Sequence, residues 1–214
     1  MDYYKTLWQL FFKTLKLQLI FLILMLLFKV ALFVKYAPQS AYETPLNEIF
    51  EALFFGSRLD LSLLAFIEVI PTLITIFLIY FKSNYLLIKL KKFYIYYFFI
   101  FYFIISVIIF IDFAYFSFFG EHITIIFYGF FDDDTISLLK IAYKNYHIFW
   151  ILLAIIFYFY LLFKLIKYIL NGSCKLSIHT NSIIKKVAIP FILITINFIA
   201  IRGSFGIFPI YHWA

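Results

Sequence analysis

The sequence predicts an all-α membrane protein: a bundle of five transmembrane helices, with interfacial amphipathic helices in the two outer connections. Three observations predict it. Hydrophobic residues make up 66% of the 214 positions and charged residues 14%, against roughly half and a quarter in soluble domains. The apolar residues fall into five continuous runs without period-2 alternation, which points to spanning helices rather than a β-barrel. The lysines collect in alternate connections between those runs, as membrane topology requires.

The first run is Leu17–Val34, interrupted by Lys29. It exceeds the usual h-region of a signal peptide, and no small-residue cleavage site follows it, so it reads as a retained anchor. The second, Leu61–Phe81, contains Glu68 and Pro71, and the third, Phe93–Ile111, has no charge. The fourth, Ile148–Phe163, extends to Leu170 if Lys164 and Lys167 snorkel. The fifth, Val187–Ile201, is short and carries Pro190. Spanning ~30 Å of hydrocarbon takes about 20 helical residues, so the fifth run needs Ile183 and Ile184 as well. The whole of 1–214 reads as one transmembrane domain, with no repeat and no soluble domain.

Charge sets the direction. The region before run one, the connection between runs two and three, and that between four and five together hold twelve lysines against one acid, Asp2. The other two connections hold most of the acids. By the positive-inside rule the lysine-rich side is cytoplasmic. Five spans then place the amino terminus inside and the carboxyl terminus outside. Lys, Ile, Phe, Tyr and Asn all have AT-rich codons, which suggests an AT-rich bacterial genome and so a bacterial cytoplasmic membrane. In the first outer connection, Pro45 to Phe55 reads as a short amphipathic helix ended by Gly56. In the second, Thr135 to Tyr146 carries apolar residues at helical spacing. Both suit the membrane interface.

The net charge of +7 is accounted for by these topological lysines, so nucleic acid is not an expected partner. The single Cys174 excludes an internal disulfide, and the four histidines have no metal-ligand spacing. No phosphate-binding glycine loop or nucleophile elbow is present, so no catalytic residue and no metal site is assigned. Asp132-Asp133-Asp134 reads either as an acidic start to the helix at Thr135 or as ligands for a divalent cation.

The intramembrane charges say more, because each costs at least ~2.5 kcal/mol at a helix centre. Lys29 and Glu68 stand at similar distances from the outer ends of their runs, which predicts an ion pair; a proton or substrate pathway and plain exposure to water are the alternatives. Arg58, Asp60, Asp112 and Arg202 map to the outer interface. The arginines are the only two in a chain with 16 lysines. Arginine's planar fork suits a carboxylate or a phosphate, so they either pair with Asp60 and Asp112 or bind the headgroup of an anionic phospholipid.

Three stretches carry a resemblance. Gly56 to Ala65 reads Gly-Ser-Arg-Leu-Asp-Leu-Ser-Leu-Leu-Ala, Ile111 to Phe116 is followed by Phe119-Gly120, and Arg202 to Ile210 reads Arg-Gly-Ser-Phe-Gly-Ile-Phe-Pro-Ile. In order and spacing they resemble the second, third and fifth membrane helices of lipoteichoic acid synthase-like phosphoglycerol transferases, in the sulfatase/alkaline phosphatase superfamily. The resemblance implies five membrane helices followed by an extracytoplasmic catalytic domain with a metal ion and a threonine nucleophile. The sequence ends at Ala214, where that domain is expected to begin. The chain is therefore expected to be a lipid-presenting membrane anchor, inactive by itself and without a cofactor of its own. The resemblance implies either a truncated or split gene product or a membrane module that works with a separately encoded catalytic domain, which would hold the divalent metal. A small transporter or membrane scaffold is the alternative.

Overall fold

A computed structural model describes residues 3–37, 44–81, 83–123, 148–172 and 183–203. Among them the regular structure is entirely helical: α1 (Tyr3–Tyr36), α2 (Leu46–Tyr80), α3 (Asn84–Phe119), α4 (Ile148–Asn171) and α5 (Ile183–Arg202). The first four are long and apolar enough to cross a membrane, and α5 has a shorter apolar stretch, Val187–Arg202. Large apolar side chains such as Leu19, Ile23 and Leu27 on α1, and Phe66, Ile70, Leu73 and Phe77 on α2, face outward. A water-soluble surface does not carry apolar residues in such continuous array; hydrocarbon accepts them.

The helices overrun the apolar runs. At 1.5 Å per residue, the 34 to 36 residues of α1–α3 reach about 50 Å, well beyond the hydrocarbon core. Polar residues end an apolar run without ending a helix, because backbone hydrogen bonding continues through them. Residues 46–55 therefore form no separate interfacial helix, and Gly56 ends nothing: both belong to α2. Pro45 stands at the N-cap, where its carbonyl accepts from the amides of Glu48 at 3.0 Å and Ile49 at 3.3 Å. The expected helix at Thr135–Tyr146 and the Asp132–Asp134 triplet lie outside the described residues. Gly120 and Gly203 follow the ends of α3 and α5 with φ of 72° and 67°, the left-handed conformation in which glycine closes a helix without Cβ strain.

The chain divides into two compact units, one of residues 1–98 and 166–214, the other of 99–165. In the first, α1 packs on α2 and α2 on α5. The inward stripe of α1 recurs every three or four residues through Leu7, Phe11, Thr14, Gln18, Phe21 and Met25, the period of one helix face. In the second unit the facing parts of α3 and α4 interlock through rings. Phe99 meets Phe163 at 5.2 Å, Phe103 meets Phe159 at 4.4 Å and Phe110 meets Tyr158 at 5.1 Å. Ser106 and Tyr158 share a 3.0 Å hydrogen bond.

Candidate functional site

The first unit holds a polar cluster among apolar helices, and Glu68 is at its centre, 4% exposed. Two residues of α1, one turn apart, address its carboxyl group. Thr14 Oγ1 stands 2.6 Å from Oε1, and Gln18 Nε2 donates to Oε2 at 3.0 Å. Thr14 is fully buried and Gln18 nearly so. Among the described residues no lysine or arginine forms an ion pair with Glu68.

One turn beyond Glu68 the cluster continues through Pro71 and Thr72. Proline has no backbone N–H, so the Ile67 carbonyl loses its partner four residues on. Tyr97 of α3 donates its hydroxyl to that carbonyl at 2.7 Å. The Pro71 carbonyl accepts from Thr75 Oγ1 at 2.8 Å and from the Tyr94 hydroxyl at 3.4 Å. A freed backbone acceptor in hydrocarbon is costly unless a neighbouring helix supplies a donor, and here α3 does so. From the other side, Asn197 of α5 donates to Thr72 Oγ1 at 2.7 Å. Glu68 thus belongs to a polar seam to which four helices contribute.

The ion pair anticipated for Lys29 takes a different partner. Lys29 Nζ lies 2.6 Å from Asp60 Oδ2 and donates to the Gly56 carbonyl at 2.7 Å. A Cβ on Gly56 would stand 3.1 Å from Nζ, so this approach uses the missing side chain. Glu68 is eight residues further along α2 than Asp60, about 12 Å away along the axis. Measuring depth from the ends of the apolar runs failed because α2 already lies beside α1 before its apolar run begins. The alignment of the two helices, not the limits of their runs, places Lys29 level with Gly56 and Asp60.

Arg58 donates through Nη2 to the Gly203 carbonyl just past α5, and Ser62 Oγ donates to the Ile201 carbonyl. Two residues one turn apart on α2 thereby satisfy acceptors at the end of α5 that have no helical donor. The Arg58 guanidinium also lies 5.6 Å and 5.9 Å from the ring centres of Phe55 and Phe54. Asp60 serves Lys29 rather than orienting Arg58. Arg202 is the last residue of α5, where positive charge suits the helix dipole. Asp112, in the second unit, accepts from the Ile123 amide at 2.9 Å and pairs with His122 Nδ1 at 2.8 Å. It therefore closes the end of α3 locally. Among the described residues no three His, Cys, Asp or Glu side chains gather as metal ligands do.

No family model, curated protein or solved structure matches this chain. Its site is therefore read from its own residues. Thr14, Gln18, Tyr97 and Asn197 were not among the site residues expected from the sequence, which were all charged, and Ser62 stood there only as part of the Gly56–Ala65 stretch. A signal for some of them was present. Thr14 and Gln18 are four residues apart at the start of an apolar run, Asn197 is the one amide inside the fifth run, and Pro71 announces an orphan carbonyl at Ile67.

Proposed function

We propose that the chain is the membrane anchor and lipid-presenting domain of a phosphoglycerol- or phosphoethanolamine-type transferase of the sulfatase superfamily, not catalytic by itself. It sits in a bacterial cytoplasmic membrane with its amino terminus inside and its carboxyl terminus outside. One observation carries the reading. Two of the three stretches on which the resemblance rests, Gly56–Ala65 and the one that starts at Arg202, lie far apart in sequence, yet Arg58 of the first donates to the Gly203 carbonyl of the second, and Ser62 donates to Ile201 just before it. Arginine has five N–H donors, and the contact with Gly203 uses one of them. Arg58, with Arg202 at the end of α5, supplies the positive charge for an anionic phospholipid headgroup. The transferase chemistry and its divalent metal belong to a catalytic domain outside these residues.

Native mass spectrometry of the detergent-released chain tests the reading. It should retain phosphatidylglycerol in preference to phosphatidylcholine, and Arg202→Gln should lose that preference. Equal retention of the two lipids by the parent chain would remove the lipid-presenting role. The second reading, a small transporter, draws support from the buried carboxyl of Glu68, since ionisable groups inside membranes commonly mark a transport path. Solute or ion flux into sealed vesicles containing the chain would favour it.

A further inference from the structure

Hydrogen counting around Thr14 singles out Glu68. Thr14 Oγ1 lies 2.7 Å from the Phe11 carbonyl oxygen and 2.6 Å from Glu68 Oε1. A hydroxyl group has one hydrogen to donate, while a carbonyl and an ionised carboxylate only accept. With a carboxylate at Glu68, two close oxygen–oxygen contacts would share a single hydrogen. If the carboxyl group carries a proton, both contacts are satisfied: Glu68 donates to Thr14, and Thr14 donates to Phe11.

The surroundings favour the same assignment. Glu68 has no basic partner among the described residues, and an uncompensated charge buried among apolar helices is costly. The titratable groups facing it are Tyr94 and Tyr97 of α3, whose hydroxyls are donated to Pro71 and Ile67. The polar groups bonded to it, Thr14 and Gln18, do not titrate. Independently, Gln18 Oε1 is buried without a hydrogen-bond partner, although the amide's nitrogen is already on Glu68.

We propose that Glu68 is an intramembrane proton-binding site, its carboxyl group holding one proton between Thr14 and Gln18. Binding forms one O–H bond on the carboxylate, and release returns the proton to water. The assignment is independent of the lipid-presenting role.

Infrared spectroscopy of the full chain in lipid nanodiscs, with glutamate carboxyl groups labelled with carbon-13, reads the state directly. A protonated carboxylic acid and a carboxylate have well-separated carbonyl bands. Expected at neutral pH is an acid band that shifts in D2O, is lost in Glu68→Gln and moves to higher frequency in Thr14→Val, which removes the acceptor. The labelled parent chain gives a reading even if a variant does not fold. A parent with only carboxylate bands at neutral pH would overturn the proposal. So would an acid band that persists in Glu68→Gln, or one that excess sodium abolishes at constant pH, which would mark a metal-cation site.

Discussion

Replacing Tyr97 by phenylalanine removes one oxygen atom and leaves the ring that packs in α3. That oxygen donates to the Ile67 carbonyl at 2.7 Å, and Pro71 cannot replace it because it has no N–H. Hydrogen bonds between membrane helices are usually worth about 0.6 kcal/mol and at most about 1.7, because the partners find substitutes when separated. Here no backbone substitute exists within the helix. A buried acceptor left unsatisfied costs about 1–3 kcal/mol, so Tyr97→Phe is expected to cost about 1.5 kcal/mol, near the top of the membrane range. Pro71→Ala returns an N–H to the position that normally serves Ile67. In that background Tyr97→Phe should cost only about 0.5 kcal/mol, a coupling of about 1 kcal/mol. The assay is reversible unfolding in mixed micelles, with all four members of the cycle measured under the same conditions. If the two substitutions are additive, the orphan carbonyl is not what Tyr97 serves, and the account of the α2–α3 contact fails.

Two further outcomes are expected. The swap Lys29→Asp with Asp60→Lys should recover part of the loss caused by either change alone, whereas Lys29→Glu with Glu68→Lys should show no coupling. Lys29 is 36% exposed, so solvent limits the first coupling to about 1 kcal/mol or less, and unfolding of the two double mutants measures both. A reporter active only outside the cytoplasm should be active when fused after Ala214 and silent when fused after Lys92; the reverse pattern would invert the proposed topology.

The candidate site was legible only in part. Glu68 stood out because a carboxyl group in an apolar run is expensive wherever the run is placed, and that argument needs no partner. Its neighbours were not legible in the same way. Thr14 precedes the apolar run in which depth was being judged, and Asn197 is one polar residue among many apolar ones. Lys29 shows the limit most clearly. Its charge marked it as a residue needing a counterion, and Glu68 was chosen as the acid inside an apolar run, although α2 also carries Glu48, Glu51 and Asp60. Choosing among them requires the relative alignment of α1 and α2. A shift of one turn moves a residue about 5.4 Å along the axis, more than the reach that decides an ion pair.

The all-helical membrane class follows from the sequence alone, because hydrocarbon demands that every backbone polar group be satisfied within its own segment. That demand is local, and a run of about 20 apolar residues answers it without reference to any other part of the chain. Gly120 and Gly203 close α3 and α5 locally, whereas Gly56, read from the sequence as a stop, lies within α2. Only the tertiary structure decided that Lys29 meets Asp60, that Arg58 serves the end of α5, and that Thr14 and Gln18 hold Glu68. Such choices depend on how far one helix is displaced and turned against the next. Packing of apolar faces along their whole length sets that alignment, and the polar groups take the partners it brings within reach.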